Sequence, residues 1–247
     1  MTMTPINQKL TVAIPTMRRW KGFLEKLLPS LLENELVTYV LISDETGEDV
    51  AAIKASSYTS NPKLILHQNP TRLGMYYNKR KCLELAPTDW VAILDSDNIF
   101  PESFFETLFD TWTTEGADPK TIYASSEIIR VFTKTGQSEE RTRHFSGMRI
   151  QKNNWNTVLQ TQAWNFLLND GNWVGHKSVL DAWLTDIPEE KIRSTDSLRI
   201  MRNFVKAGFT LYIVPGLRYI HTVHDDSEWI KTESESSYLL STTKWTL

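Results

Sequence analysis

The chain has 247 residues, 40% of them hydrophobic, which is enough to bury a full core as one large domain or as a domain with a subdomain. A net charge of -3 gives no overall basic field for nucleic acid or an anionic membrane surface, so we expect neither as a partner. A single cysteine excludes an internal disulfide framework, and no apolar run reaches the roughly 18 residues of a membrane span. These features are typical of a cytoplasmic globular protein and leave the oligomeric state open.

The first half of the sequence alternates between predicted strands and predicted helices. Short apolar or β-branched runs predict strands at 9–15, 37–44, 63–68 and 90–94. Helical spacing of apolar residues predicts helices at 20–34, 49–58 and 75–86. Because each strand is a continuous apolar run, the pattern indicates an α/β fold with a mostly parallel sheet covered on both faces.

Polar residues follow each of the four predicted strands. In sheets of this kind, ligands bind beyond the carboxyl ends of the strands. We therefore expect one site at that edge, built from these pairs and segments: Pro15 and Thr16, Asp44 and Glu45, residues 69–72, and Asp95 and Asp97.

The second half has a different pattern. Residues 121–150 predict two strands around a turn at 134–136, and a helix is predicted at 188–208 before a last strand at 209–215. The tail after Trp229 is dominated by Ser, Thr and Glu without a clear period, so we expect it to be mobile. The change in pattern predicts a subdomain boundary near residue 120.

Asp95 and Asp97 lie one residue apart at the end of the most apolar strand. Such a carboxylate pair suits Mg²⁺ or Mn²⁺, hard cations that prefer oxygen ligands and keep positions open for substrate phosphates. The alternative is a solvated turn before a helix that begins near Pro101.

Three stretches together resemble a known family: "TVAIPT", "VLISDETGED" and "NPTRLGMYYNKRKCLELAPTDWVAILDSDNIFPESFF". They are similar to the donor-binding half of inverting, metal-dependent family 2 glycosyltransferases with the GT-A fold. The resemblance implies a Rossmann-like, mostly parallel central sheet flanked by helices, with a smaller mixed subdomain on the acceptor side. It implies one compact domain in which residues 1–120 bind a nucleoside diphosphate sugar and residues 121–247 supply the acceptor site and the catalytic base. A hydroxyl of a glycan or glycoconjugate would receive the sugar.

The same resemblance assigns roles in donor binding. Asp44 would contact the base of the nucleotide, and because a carboxylate can accept a hydrogen bond from the imide N–H of uracil or thymine, a pyrimidine donor is preferred, with a UDP-sugar favoured. A guanine ring could satisfy the same carboxylate. Asp97 would be the main ligand of Mn²⁺ or Mg²⁺, while Asp95 would reach the metal through water or hold sugar or ribose hydroxyls. The donor-binding residues are then Pro15, Thr16, Asp44, Arg72, Asp95 and Ser96.

In the second half the resemblance assigns the base to Asp196 and a further metal ligand to a histidine beyond the last strand. Asp196 stands near the start of a predicted helix, where an N-cap role is the alternative. Weaker candidates for the base are Asp186, Glu189 and Glu190. Of His221 and His224, we favour His224, because it stands beyond the expected strand end; a hydrogen-bonded structural role competes for His221.

One stretch departs from the family pattern, and the tryptophans are open to two interpretations. Family members often read Ala-Arg-Asn where this chain reads Asn78-Lys79-Arg80. Three tryptophans in the second half, Trp155, Trp164 and Trp173, are either acceptor-side platforms or core residues.

Two other classes of function compete with the transferase. A haloacid dehalogenase-like phosphatase also carries Asp-x-Asp after an apolar strand, but usually on an early strand and with Thr or Val where this chain has Ile99. A non-catalytic sugar-binding module would keep the tryptophans and need neither Asp97 nor Asp196. Metal-dependent nucleotide binding separates the transferase from that module.

Overall fold

A computed structural model describes residues 8–142, 145–161, 171–185, 187–188 and 191–247. Within these ranges the strands are β1 (Leu10–Thr16), β2 (Tyr39–Asp44), β3 (Leu64–Gln68), β4 (Trp90–Ile93), β5 (Thr121–Phe132), β6 (Ser138–Thr142), β7 (Arg149–Ile150), β8 (Trp173–His176) and β9 (Thr210–Val223). The α-helices are α1 (Glu25–Glu33), α2 (Glu48–Lys54), α3 (Met75–Leu85), α4 (Glu102–Glu115), α5 (Trp155–Leu159), α6 (Asp196–Lys206), α7 (Glu228–Lys231) and α8 (Glu233–Thr242). None of the helices in these ranges has both the length and the apolar character needed to cross a bilayer.

One sheet runs through both halves of the chain in the order β3-β2-β1-β4-β8-β5-β9-β7, with β6 paired to β5. The strands β1 to β4 are mutually parallel, β5 and β9 form a parallel pair, and β8 lies antiparallel between β4 and β5. The predicted α/β fold with a mostly parallel sheet is therefore confirmed. The division near residue 120 stays a prediction.

Helices cover both faces of the sheet. Side chains alternate along β1, so that Ala13 joins one apolar cluster while Val12 and Ile14 join the other. The cluster with Ala13 contains the buried residues of α3 and α6, and the cluster with Val12 contains those of α1 and α4. This arrangement brings α3, from the first half, against α6, from the second.

The structure corrects several predicted boundaries. Regular helix begins at Glu25 instead of residue 20, because Lys21 is extended (ψ 128°) and Gly22 takes a left-handed conformation (φ 88°). The last strand continues to Val223, past Gly216 at φ 73°, so His221 lies inside β9. The tail predicted to be mobile contains α8, with Ser236 and Trp245 buried.

Two of the three tryptophans considered as acceptor platforms lie in the core. Trp155 and Trp173 are both 0% exposed, so an acceptor platform is the wrong interpretation for these two residues. Trp164 falls outside the described residues.

Candidate active site

A cavity of about 630 Å³ opens at the carboxyl ends of β1 and β4 and extends to the start of α6. It is lined by most of the residues that the sequence nominated: Pro15, Thr16, Arg72, Asp95, Ser96, Asp97, Asp196 and His221. The rule that ligands bind beyond strand ends therefore located the cavity, even though the residues come from distant parts of the sequence.

The turn after β4 holds the two aspartates in place. The backbone N–H of Asp95 donates to Oδ1 of Asn172 (2.9 Å), and the N–H of Asn98 donates to the carbonyl of Asp95 (2.9 Å). Asn172 immediately precedes β8, which pairs with β4 so that Trp173 lies opposite Ile93. Pairing of β8 thus fixes where the Asp-Ser-Asp segment leaves the sheet.

Asp97 is held by a histidine from beyond the last strand. Its Oδ2 lies 3.0 Å from Nε2 of His224, whose ring packs 4.8 Å from the ring of Phe23. Burial would raise the pKa of Asp97, but the hydrogen bond with His224 and the positive charge of Arg19 outweigh burial and lower it. Asp97 is therefore kept ionised, as a metal ligand must be.

Asp95 has the opposite electrostatic environment. Burial raises the pKa of Asp95 to about 6, and the nearby ammonium of Lys79 opposes that rise. The negative charges of Asp97 and Asp196 add to the increase. Asp95 is thus the more weakly ionised member of the pair.

Asp196 is the first residue of α6 and is only 4% exposed. Its Oδ2 accepts a hydrogen bond from Nζ of Lys79 at 2.8 Å. The same Nζ lies 3.1 Å from Oδ1 of Asp95, so one ammonium bridges the predicted base and a predicted donor-side carboxylate. The pKa of Lys79 is raised, since these two carboxylates outweigh burial, which alone would lower it.

Sequence reasoning gave Lys79 no role, although a signal for it was present. Tyr76, Cys82 and Leu83 lie three before, three after and four after Lys79, and all are buried. A lysine at that spacing falls on the apolar face of its helix, where a charge is expected only with partners.

Asp44 is not brought to the cavity. Its side chain is 0% exposed, with Oδ1 accepting from the N–H of Thr46 (2.9 Å) and Oδ2 from the N–H of Val50 (3.0 Å). These bonds secure the start of α2. The cavity is lined instead by the next residue, Glu45, because neighbouring residues along a strand point to opposite sides.

Two other carboxylates shape the loops around the cavity. Oε2 of Glu45 accepts from the N–H groups of Leu73 and Gly74 (2.8 and 3.1 Å) and lies 4.0 Å from Nε of the exposed Arg72. On the other side, Oδ2 of Asp49 accepts from the hydroxyl of Thr16 (2.6 Å). Asp49 has no assigned role in the sequence analysis, and only the strand-to-helix geometry reveals this contact.

The two histidines are separated by the structure. His224 contacts Asp97, while His221 lies on β9 and lines the cavity. In the described part of the chain, no group of three or more His, Cys, Asp or Glu side chains is arranged to hold a metal ion. The weaker base candidates Asp186, Glu189 and Glu190 lie outside the described residues.

Comparisons with known proteins identify the family and the fold. The model of the family described as "Glycosyl transferase family 2" matches residues 11–173. An uncharacterized protein of Mycobacterium tuberculosis (strain CDC 1551 / Oshkosh), MT1568, is 30% identical over 109 residues, covering 43% of this chain and 33% of that protein. The chain thus matches about a third of the length of that relative.

Solved structures of S. aureus TarS share the fold. The structure of TarS residues 1–349 superposes with a TM-score of 0.63 at 13% identity, covering 94% of this chain and 63% of that one. The same fragment in complex with UDP-GlcNAc gives a TM-score of 0.62 at 12% identity, covering 90% and 60% of the two chains. With the family model matching more than half of its residues, the chain belongs to glycosyl transferase family 2 and has the GT-A fold.

Proposed function

We propose that this chain is a metal-dependent, inverting glycosyltransferase. It would move a sugar from a nucleoside diphosphate sugar, with a UDP-sugar favoured, to a hydroxyl of a glycan or other glycoconjugate. The observation that carries the proposal is that Asp95, Asp97 and Asp196 all face one cavity, although Asp196 is about a hundred residues away in sequence. A donor diphosphate and an acceptor hydroxyl both need carboxylates at such a site, the first through a cation and the second as a base.

The proposed preference for UDP does not rest on Asp44. Asp44 was expected to contact uracil, but both of its carboxylate oxygens accept hydrogen bonds from backbone N–H groups. We therefore assign Asp44 to shaping the loop after β2. The choice of UDP is supported by the likeness in fold to TarS, which has been solved with UDP-GlcNAc.

The residues present fit a bound divalent cation. Asp97 and His224 supply an oxygen and a nitrogen donor 3.0 Å apart, and Asp97 lines the cavity together with Asp95. Mn²⁺ accepts both donor types, and so small a set of protein ligands leaves positions for diphosphate oxygens and water. When bound, the cation would offset the negative charge that develops on the leaving diphosphate.

Asp196 is the proposed base. It is the first residue of α6, it lines the cavity, and its Oδ2 accepts a hydrogen bond from Nζ of Lys79. The carboxylate of Asp196 would accept the proton of the acceptor hydroxyl while the acceptor oxygen bonds to the anomeric carbon. The bond from that carbon to the diphosphate breaks and its electron pair leaves with the diphosphate, so a single displacement inverts the anomeric centre.

Replacement of the base tests this assignment. Asp196→Asn keeps the shape of the side chain but removes its basicity, so turnover should fall by roughly 10²- to 10⁴-fold. The measurement is release of nucleoside diphosphate from UDP-, GDP- and dTDP-sugars with Mn²⁺, with and without mixed glycan acceptors. Binding of UDP to the variant should be unchanged.

Asp110→Asn is the matched control, because Asp110 is exposed on α4 and does not line the cavity. Wild-type turnover by Asp196→Asn would contradict the base assignment. Wild-type protein that binds glycans but neither binds nor turns over any nucleotide sugar would favour a sugar-binding module instead.

A further inference from the structure

We propose that Lys79 is a positioning residue that ties the base Asp196 to the donor-side carboxylate Asp95. Lys79 lies in the wall of the cavity but is 0% exposed, so it would act through these two carboxylates and not by its own contact with the donor or the acceptor. This inference rests on the proposed function, because it assumes that Asp196 acts on the acceptor and Asp95 on the donor side of the same cavity.

The contacts of Lys79 come from both halves of the chain. Its Nζ donates to Oδ2 of Asp196 at 2.8 Å, lies 3.1 Å from Oδ1 of Asp95 and is 3.4 Å from Oγ of Ser197. Asp95 follows β4, whereas Asp196 and Ser197 begin α6. Nζ thus donates hydrogen bonds to Asp196 and Ser197 and forms an ion pair with Asp95.

Burial shows that these contacts are required. Lys79 is 0% exposed, and its stem lies on the apolar face of α3 that also carries Tyr76, Cys82 and Leu83. A surface lysine would extend its ammonium to solvent, but Lys79 holds its charge inside the protein. A buried charge is tolerated only when it is paired and hydrogen-bonded, and the two carboxylates supply that pairing.

Tight packing restricts the group further. A Cβ on Gly171 would lie 1.9 Å from Oδ2 of Asp95 and 3.0 Å from Nζ of Lys79, so the backbone of Gly171 presses directly on the ion pair. The adjacent Asn172 accepts a hydrogen bond from the backbone N–H of Asp95. With little room for alternative rotamers, the ammonium fixes where each carboxylate points.

This arrangement has a consequence for the reaction. A base must lie within hydrogen-bonding distance of the hydroxyl that it deprotonates, and a small displacement lowers the rate sharply. Because one ammonium holds both carboxylates, the base is placed relative to the donor and not merely relative to its own helix. Loss of Lys79 should therefore lower kcat while sparing donor affinity, because Asp97 keeps its contact with His224 and the backbone of Asp95 keeps its hydrogen bond to Asn172.

The test uses turnover of UDP-GlcNAc with Mn²⁺ by wild type, Lys79→Met and Lys79→Arg. We expect Lys79→Met to lower kcat by about 10²-fold or more, with KM for UDP-GlcNAc and calorimetric binding of UDP unchanged. Lys79→Arg should recover only part of kcat. Arginine restores the positive charge, but its planar guanidinium differs in shape from the compact ammonium of lysine. Lys81→Met is the matched control, since Lys81 lies two residues along α3 and pairs with Glu84 near the surface.

A double variant sharpens the test. If Lys79 acts through Asp196, then Lys79→Met should cost little further turnover in the Asp196→Asn background. Thermal unfolding of the same variants gives a readout that needs no activity. Lys79→Met should lower Tm by leaving the buried Asp196 and the partly exposed Asp95 without their counter-charge, and the added Asp196→Asn should recover part of that loss.

The possible failures are distinguishable. Wild-type kcat in Lys79→Met, additive losses in the double variant, or a KM that rises in step with the loss of kcat would overturn the role of Lys79 alone. A wild-type protein with neither nucleotide binding nor turnover would contradict the proposed function. In that case the Tm values of the wild type, the two single variants and the double variant still decide whether Lys79 and Asp196 are coupled. An absence of coupling would overturn the inference as well.

Discussion

Asp95 and Asp97 are one residue apart, yet their surroundings shift their pKa values in opposite directions. Burial raises the pKa of Asp95 to about 6, whereas the pKa of Asp97 is lowered because His224 and Arg19 outweigh burial. Two equal side chains thus acquire different chemistry from their neighbours. The ionised Asp97 suits direct contact with a cation, and Asp95 suits hydrogen bonds to hydroxyls or to metal-bound water.

The raised pKa of Asp95 predicts a pH dependence of stability in the metal-free protein. Because the folded chain holds the extra proton between the ordinary pKa of 3.8 and about 6, the stability that this proton gives is greatest below pH 3.8 and is lost as the pH rises through about 6. Asp95→Asn should remove this fall, which amounts to roughly 3 kcal/mol at most.

Urea denaturation of wild type and Asp95→Asn at pH values from 4 to 7, with a chelator present, measures the effect. Acids outside the cluster of Asp95, Asp97 and Asp196 titrate alike in both proteins and cancel in the comparison. Parallel stability curves for the two proteins would show that the pKa of Asp95 is not raised by folding.

The sequence correctly predicted which residues at a strand end or at the start of a helix line the cavity. It gave a wrong contact for Asp44 and no role for Lys79. Asp95, Asp97 and Asp196 line the cavity as expected. Asp44 does not, because the alternation of side chains near the end of β2 turns it toward α2. Lys79 was missed because lysines on helices are usually solvated, and its carboxylate partners lie far away in sequence.

The C-terminal helix α8 is stabilised by its tertiary contacts and not by an apolar face of its own. Composition predicted a mobile tail, because α8 has no strong apolar stripe. The segment is held instead by specific contacts, with the hydroxyls of Ser194 and Thr232 2.8 Å apart and Trp245 buried in the core. Such contacts are not visible as a period in the sequence.

Removal of Trp245 should therefore destabilise the whole protein. Trp245 is 5% exposed, and its Nε1 donates to the carbonyl of Leu240. Trp245→Ala should lower the free energy of unfolding by about 3 kcal/mol, within the range for large-to-small core substitutions. Urea denaturation measures the loss, with Tyr238→Ala as control because Tyr238 is 66% exposed. A change as small as that of the control would mean that the tail does not belong to the core.

At the scale of the molecule, one sheet joins the donor side to the base. The parallel strands β1 to β4 follow from their apolar runs, which is why the fold class could be predicted. The central strand β8 could not, because it is four residues long, contains Gly175 and lies in a segment rich in tryptophan and asparagine. It is nevertheless the strand that places Gly171 and Asn172 against Asp95.

The central claim is that this cavity binds a nucleoside diphosphate through a divalent cation held by Asp97. Calorimetric titration of UDP, with GDP and dTDP for comparison, tests it most directly when run with Mn²⁺, with a chelator, and on Asp97→Ala. We predict that one nucleotide, with UDP favoured, binds in the presence of Mn²⁺ and that binding is lost both with the chelator and in the variant. Binding of equal strength in the chelator, or no binding of any of the three nucleotides to the wild type, would contradict the account.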